Sequence, residues 1–213
     1  MNQSDLLILV VYTITVILVL KRAIGSVEQV TAIAVDSSAM QEALEEHDLA
    51  DKLKITFPVP DRTPLGEQPK TITVMVENQL ERDVSVEWHR SSFIALDWDE
   101  KSESYLRRSR RVVHLGPYRG GEIISAQAVS SIPPGETIEE KITVEDTLVR
   151  DGDTVAPQKP LVGIKKLSVG ESITFSLWLA IYLSETDDAD DRRYILPCDF
   201  KVTRCPWTDS LPF

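Results

Sequence analysis

The segment that decides the fold is Ser172-Ile-Thr-Phe-Ser-Leu-Trp-Leu-Ala-Ile-Tyr-Leu183, which is followed by Arg193-Tyr-Ile-Leu-Pro-Cys-Asp-Phe-Lys-Val202. Both stretches are rich in the β-branched and aromatic residues that favour strands. The residues between them, Ser184-Glu-Thr-Asp-Asp-Ala-Asp-Asp-Arg192, are polar. Because a polar segment of this kind suits a hairpin connection, the sequence predicts two long antiparallel strands here.

Shorter strand patterns precede this hairpin. Polar and apolar residues alternate over Lys70–Glu77, which is the period of a strand with one buried face. Further strand patterns occur at residues 83–88, 111–115 and 137–144, and proline and glycine clusters separate them. No alternation of strands with long helices is present. We therefore expect a mainly β domain over residues 54–213, folded as an antiparallel β-sandwich.

Several short segments carry a resemblance to known proteins. They are, in order, Val76-Glu-Asn78, Val84-Ser-Val-Glu-Trp-His-Arg-Ser-Ser-Phe-Ile94, Arg110-Arg-Val-Val-His114, Ser131-Ile-Pro-Pro-Gly135 and Val169-Gly170, followed by the final hairpin. Over about residues 70–204 the chain resembles uncharacterised bacterial β-sandwich proteins, many of them exported or lipid-anchored. The resemblance implies an immunoglobulin-like sandwich, and it implies no known activity.

The N-terminus carries a continuous apolar run, Leu6-Leu-Ile-Leu-Val-Val-Tyr-Thr-Ile-Thr-Val-Ile-Leu-Val-Leu20, which ends at Lys21 and Arg22. A helix of this length covers about 22 Å, and the long flanking side chains extend its reach towards a hydrocarbon core about 30 Å thick. Because the run is continuous rather than amphipathic, we expect residues 1–24 to form a single transmembrane anchor. The alternative is a buried core helix or a helix that packs on a partner.

The charges beside the apolar run predict its orientation. Lys21 and Arg22 follow the run and no lysine or arginine precedes it. Positive charges beside a span favour the cytoplasmic side, so we expect the large domain to lie there. Residues 25–53 are predicted to form a juxtamembrane helical segment, because apolar residues from Met40 to Leu53 recur at roughly helical spacing.

The composition excludes some partners. The chain has 34 acidic and 23 basic residues and a formal net charge of −11, which disfavours binding to nucleic acid. If the segment that holds Cys198 and Cys205 is one strand, these residues lie about 23 Å apart and form no disulfide, unless a turn brings them together. Two unpaired thiols fit a reducing compartment, and they are too few for a zinc site. We expect no cofactor.

Two clusters of charge are candidate contact sites. The basic cluster comprises Arg107, Arg108, Arg110 and Arg111. It is either a solvated loop or a contact with anionic lipid or an acidic partner surface. The acidic cluster comprises Asp187, Asp188, Asp190 and Asp191. It lacks the glycine and the distal glutamate of a calcium-binding loop, so we interpret it as a solvated charged loop at a hairpin tip.

The remaining candidate residues point away from catalysis. Strand alternation sends Trp88 towards the core, where a large ring packs well. His89 and His114 are possible metal ligands, but the spacing suggests no third ligand. The chain lacks a glycine-rich phosphate loop, a G-x-S-x-G motif and an H-E-x-x-H motif, so we expect that it is not an enzyme.

Together these features predict a single-pass membrane-anchored interaction protein, an accessory or assembly subunit of a larger membrane complex. An alternative is a membrane-tethered domain that binds or senses a small ligand. That alternative requires a concave apolar pocket with a few converging polar groups. A third hypothesis is a hydrolase with unrecognised carboxylates, which requires two close acids in a deep cleft.

Overall fold

The structure is a computed structural model, and it describes residues 9–19, 30–60, 62–99, 101–115, 128–151, 154–164, 166–183 and 192–206. Helix α1 is described over residues 9–19, and helix α2 spans Ser38–Glu46. The strands are β1 Val30–Asp36, β2 Leu53–Thr56, β3 Arg62–Pro64, β4 Ile72–Asn78, β5 Val84–Glu87, β6 Ser92–Asp99, β7 Ser104–Leu115, β8 Val129–Ile132, β9 Thr137–Val144, β10 Leu148–Asp151, β11 Thr154–Pro157, β12 Ser172–Leu183 and β13 Arg192–Arg204. Short 3₁₀ turns occupy Leu65–Glu67, Trp88–Arg90 and Glu145–Thr147.

The predicted antiparallel, mainly β fold is confirmed. Strands β12 and β13 pair antiparallel along their whole length, with Phe175 opposite Phe200 and Leu183 opposite Arg192. The alternating stretch at residues 70–77 forms most of β4, in which the even-numbered residues are buried and the odd-numbered residues are half-buried. This is the pattern of a strand that packs one face against a core.

The strands form two layers that share β7. The first layer has the order β3-β1-β13-β12, and the free edge of β12 pairs with β6 over one half and with β5 over the other. The second layer has the order β2-β4-β9-β7. Strand β7 belongs to both, because Arg110 lies opposite Phe93 of β6 while Val112 lies opposite Val144 of β9. The result is a sandwich-like, curled sheet.

The core lies between the inward faces of the two layers. Phe175 stacks on Phe93 with ring centroids 4.9 Å apart, and on Phe200 with centroids 4.7 Å apart. Trp88 is 1% exposed, which confirms its prediction as a core residue. Its Nε1 donates a hydrogen bond to Ser130 Oγ at 2.8 Å, so the polar end of the ring is satisfied inside the core.

The prediction of a helical segment over residues 25–53 is wrong for its first described part. Residues 30–36 form β1, which pairs with β13 and with β3. The sheet therefore begins before residue 54. Helix α2 follows β1 and turns Met40 and Leu44 into the core, where the Cys198 thiol lies 3.6 Å from the Met40 sulfur. The β-branched residues of β1 favour a strand, and β13 supplies the edge on which they pair.

The N-terminal helix α1 carries exposed apolar side chains. Within the described residues, no helix combines the length and the apolar character needed to span a bilayer. The other residues of the predicted anchor 1–24, including Lys21 and Arg22, lie outside the described part of the chain.

Candidate functional site

A cavity of about 320 Å³ lies between the two layers, on the side where β1 and β4 border the core. Both layers supply apolar side chains to its wall. The first layer contributes Ile33, Phe175, Phe200 and Val202, and the second contributes Ile72. All five are buried, so the cavity reaches into the core, and exposed residues at its rim connect it to solvent. A second cavity, beside α2 and β2, is lined mainly by polar atoms and adjoins the outer part of the fold.

Two segments of chain, residues 62–70 and 158–164, cover this interlayer cavity, and we call them the covering segments. The first leaves the second layer after β2, pairs with β1 through Thr31 and Thr63, and returns to β4. It therefore crosses from one layer to the other. The second inserts Leu161, whose amide donates to the Pro69 carbonyl at 2.9 Å. A backbone hydrogen bond thus joins the two covering segments beside the cavity.

Two residues that line the cavity each hold a buried polar atom that has no partner among the described residues. Gln68 is 7% exposed, and its Nε2 donates to the Leu65 carbonyl at 3.2 Å. Its Oε1 is buried and unpaired, as is the hydroxyl oxygen of Thr63. A buried polar atom left unpaired costs about 1–3 kcal/mol, so most such atoms in folded proteins have a partner. Neither atom has accessible surface, so both are closed off from solvent and from the space of the cavity.

Charged side chains also line the cavity, but they reach solvent. Glu67, Lys70 and Lys141 are exposed. Thr73 lies opposite Lys141 across the β4–β9 pair, which places this lysine on the second layer next to the start of β4. The interior is thus apolar with uncharged polar groups, and the charges lie towards water. This arrangement suits a small ligand that is mostly apolar.

The structure separates the four arginines of the predicted basic cluster. The cluster lies in strand β7, so its interpretation as a loop is wrong. The Arg110 side chain is 11% exposed, and its guanidinium lies 4.8 Å from the centre of the Phe93 ring. Its Nη1 lies 3.3 Å from Asp146, and its Nη2 donates to the Leu161 carbonyl at 2.5 Å. Arg110 therefore faces inward and holds the second covering segment in place.

The other arginines of β7 are exposed. Arg108 lies 3.6 Å from Asp99, on the same face of the strand as Arg110. Arg107 and Arg111 project from the opposite face, since successive side chains of a strand alternate. The sequence carries no clear signal for this division, because Val112 and Val113 are both apolar and strand alternation could turn either set of positions inward.

The outward face of the first layer carries Arg107 and Arg111 together with exposed apolar residues. Arg111 lies opposite Ser92, and Ser92 lies opposite Trp178, so these side chains share one face. Trp178 is 39% exposed and Ile195, on the neighbouring strand, is 56% exposed. This outer face combines positive charge with apolar surface.

The predicted acidic cluster, Asp187, Asp188, Asp190 and Asp191, lies outside the described residues. The paired residues on either side of it, Leu183 and Arg192, are the ends of β12 and β13. The segment therefore connects the two longest strands, as the sequence predicts.

The two histidines considered as metal ligands and the Cys198 thiol lie apart from the cavity and from the outer face. His114 is buried, stacks on Trp88 with centroids 5.5 Å apart, and places Nε2 2.5 Å from a Glu140 carboxylate oxygen. His89 is exposed and contacts the Ala128 carbonyl at 3.0 Å. Within the described residues no group of three or more metal-ligating side chains is present. Cys198 is a free thiol, and burial raises its pKa to about 12.

Comparisons with known proteins give only distant likenesses. No family profile matches the sequence, and no curated protein matches it significantly. One similar chain belongs to the CsuC–CsuE chaperone–tip adhesion subunit pre-assembly complex of Acinetobacter baumannii pili, with a TM-score of 0.27, 16% identity, and coverage of 60% of this chain and 47% of that chain. This chain thus spans less than half of that protein. Another is a Bordetella pertussis protein described as ApaA, with a TM-score of 0.30, 12% identity, and coverage of 83% and 95%. At these TM-scores neither likeness bears on the function of this chain.

Proposed function

We propose that this chain is a binding domain, and not an enzyme, which holds a small and mainly apolar ligand between its two layers. The observation that carries the proposal is the interlayer cavity of about 320 Å³ with its buried apolar wall. An apolar cavity of roughly 150 Å³ takes up benzene, so this cavity has room for about a dozen non-hydrogen atoms. A core packed for stability alone leaves few voids larger than a water molecule.

A cavity-filling substitution tests this proposal. Val162 lines the cavity and is 6% exposed, whereas Val169 is 51% exposed and lies outside it. Val162→Phe fills the cavity, and Val169→Phe adds the same ring at a site where it leaves the cavity unchanged. We expect saturable naphthalene binding, measured by isothermal titration calorimetry, in the natural chain and in Val169→Phe. Val162→Phe, checked for folding by circular dichroism, is expected to bind at least about tenfold more weakly. Equal binding in both variants refutes the proposal.

We also propose that residues 1–24 anchor the domain to a membrane, with Lys21, Arg22 and the domain on the cytoplasmic side. The support is the uncharged apolar run from Leu6 to Leu20, followed directly by two positive charges. In this proposal the layered domain is an immunoglobulin-like sandwich that is held close to the bilayer. Tethering would raise its effective concentration near membrane-bound sources of an apolar ligand.

A second function is supported by the outer face defined above. Its exposed Trp178 and Ile195 share one face of the first layer with Arg107 and Arg111, in a chain whose net charge is −11. We propose that this face docks on an acidic, partly apolar surface of a membrane protein, so that the chain acts as an accessory or assembly subunit. Charge complementarity would set the orientation, and the aromatic residue would supply contact area.

Charge reversal on the outer face tests this second function. In affinity purification of the tagged full chain, the double variant Arg107→Glu/Arg111→Glu is expected to lose a stoichiometric partner that the natural chain retains. Arg108→Glu, on the other face of β7, is the matched control and is expected to retain it. Equal recovery by all three chains refutes the proposal. Loss of binding to anionic vesicles, with no protein partner in any sample, would assign the face to lipid instead.

A further inference from the structure

We infer that the outer face recognises its partner through one cleft, which accepts an aliphatic side chain placed between two acidic residues of an extended partner segment. The inference rests on the proposed docking function of this face and adds the chemistry of the segment that docks. The cleft has a volume of about 250 Å³ and lies where strands β6 and β12 separate, so we call it the β6–β12 cleft.

Strands β6 and β12 are paired over only part of their length. Their pairing runs from Ser92 opposite Trp178 to Ala95 opposite Phe175 and stops there. Beyond this point β6 continues with β7 as far as Asp99, and β12 continues with β13 to its first residue. Each strand is therefore held by its other neighbour while the two separate. The last pair, Ala95 and Phe175, lines the closed end of the gap.

The side chains beside the gap are apolar or small, and solvent reaches them. Ile94 and Leu96 lie on the outer face of β6, and Thr174 and Ser176 lie on the outer face of β12, in step with Ser92 and Trp178. Thr174 is exposed and the other three lining residues are half-buried. Since an apolar cavity of roughly 150 Å³ takes up benzene, this open cleft has room for one leucine or isoleucine side chain.

A positive charge flanks the β6–β12 cleft on each side. Arg107 lies opposite Leu96 and lines the cleft, and Lys201 lies opposite Thr174 on the other side. Both cations are exposed, and within the described part of the chain neither forms an ion pair. Arg108, by contrast, lies on the opposite face of β7 and is 3.6 Å from a carboxylate.

Two carboxylates beside β12 are engaged by other groups. Asp199 shares the outer face with Lys201 and accepts a hydrogen bond from Ser176 Oγ at 2.5 Å. Glu171, which directly precedes β12, accepts a hydrogen bond from the Ser168 amide at 2.7 Å. The chain has 34 acidic residues, yet the two cations beside the cleft have no acidic partner among the described ones. Carboxylates of a partner would complement them.

The spacing of the two cations defines a pattern for the partner segment. Arg107, Leu96, Thr174 and Lys201 follow one line across four strands, so the two cations are about 14 Å apart. In an extended chain, residues i and i+4 lie about 13 Å apart, and residues i, i+2 and i+4 point to one side. A segment with the order acidic–x–aliphatic–x–acidic therefore places its middle side chain at the cleft and one acid at each cation.

The concave shape of the cleft favours a protein side chain over a bilayer. A lipid acyl chain would have to leave the hydrocarbon interior and pass the head groups to enter the cleft, which is unfavourable for an apolar chain. An aliphatic side chain of a partner leaves water instead, and this transfer is favourable.

Blocked five-residue peptides test the inference on the full-length chain. The probe is fluorescently labelled Glu-Ser-Leu-Ser-Glu, and its binding is measured by fluorescence anisotropy at physiological ionic strength. One control peptide has serine in place of leucine, and another has lysine in place of both glutamates. We expect the probe to bind about tenfold more tightly than the serine control, because the leucine loses contact with water, and we expect no binding of the lysine control.

Substitutions in the chain assign the binding to the cleft. Thr174→Trp fills the gap and is expected to weaken the probe at least about tenfold, whereas Thr137→Trp adds the same ring at an exposed site of the second layer and is expected to leave binding unchanged. Arg107→Glu is expected to weaken the probe about tenfold. Arg111→Glu, about 13 Å along the same face, lies beyond the screening length of about 8 Å and is expected to change binding less than twofold. Circular dichroism checks that each variant is folded.

The outcomes separate this inference from the proposed docking function. Equal binding of the probe and the serine control, or unchanged binding by Thr174→Trp or Arg107→Glu, overturns the assignment to the cleft. Partner recovery with Arg107→Glu/Arg111→Glu then decides the docking function independently. Binding of the natural chain to anionic phosphatidylserine vesicles, with no peptide bound, overturns the inference in favour of lipid. Binding of the probe as expected, with the partner retained by the double variant, supports the cleft and refutes the docking function.

Discussion

Replacing Arg110 by methionine tests whether this buried arginine holds the covering segment over the cavity. The substitution keeps an unbranched apolar side chain and removes the guanidinium. The guanidinium donates to the Leu161 carbonyl, lies over the Phe93 ring and is 3.8 Å from Asp97. In the variant the Leu161 carbonyl loses its donor, and Asp97, whose side chain is 22% exposed, loses a positive neighbour.

These contacts predict a large effect. A charge-assisted hydrogen bond to a carbonyl contributes about 1.5–3 kcal/mol. A cation over an aromatic ring adds about 1–2 kcal/mol when it is largely desolvated, as it is for Arg110. The Asp146 partner is 57% exposed and adds little because water screens it. Arg110 Nε is buried without a partner among the described residues, and removing this group offsets part of the loss. We therefore expect Arg110→Met to lower the free energy of unfolding by about 2 kcal/mol.

Arg108→Met is the matched control for this measurement. Arg108 lies on the same strand and the same face, but its side chain is 53% exposed. Its exposed ion pair with Asp99 is expected to make no measurable contribution to stability. The assay is urea unfolding of both variants, compared at equal m-values. Similar losses in the two variants, or a loss below about 1 kcal/mol in Arg110→Met, would refute the idea that Arg110 holds the second covering segment in place.

Three further predictions concern other buried or hydrogen-bonded groups. Trp88→Phe removes the hydrogen bond to Ser130 and part of the ring volume, so urea unfolding is expected to show a loss of about 2–3 kcal/mol. Burial raises the pKa of Cys198 to about 12, so this thiol is expected to resist alkylation at pH 8 until denaturant is added, and reaction in the folded state would contradict the burial. Hydrogen bonds from the Ser38 side chain and backbone lower the pKa of Asp36. They therefore stabilise the fold at pH values above the ordinary aspartate pKa, and this stabilisation is lost as the pH falls through the lowered pKa. An NMR titration of Ser38→Ala is expected to show the Asp36 pKa raised towards its usual range, and an unchanged value would contradict this.

The sequence predicted those strands whose residue pattern can be recognised within the strand itself. The alternation at residues 70–77 and the long β-rich stretches before and after the 184–191 connection required no knowledge of the rest of the chain. Strand β1 was missed for the opposite reason. Its residues, 30–36, form a strand by pairing with β13 at the other end of the chain. The helical spacing from Met40 to Leu53 led to one helical prediction for all of residues 25–53.

The basic cluster shows how register decides the role of a residue. The sequence groups Arg107, Arg108, Arg110 and Arg111 as one feature. Pairing with β6 and β9 divides them between two faces of β7, and only Arg110 is enclosed by the second covering segment. Neighbours in sequence can differ in burial, since a strand turns alternate side chains to opposite sides.

By itself the sequence determined the mainly β class, the antiparallel final hairpin and the core position of Trp88, because composition and a period of two act over a few residues. Only the tertiary structure decided that an apolar cavity lies between the layers and that residues of both layers and of the covering segments line it. A cavity is space left between residues that are distant in sequence. It depends on how two layers and two covering segments meet, and no local pattern encodes that geometry.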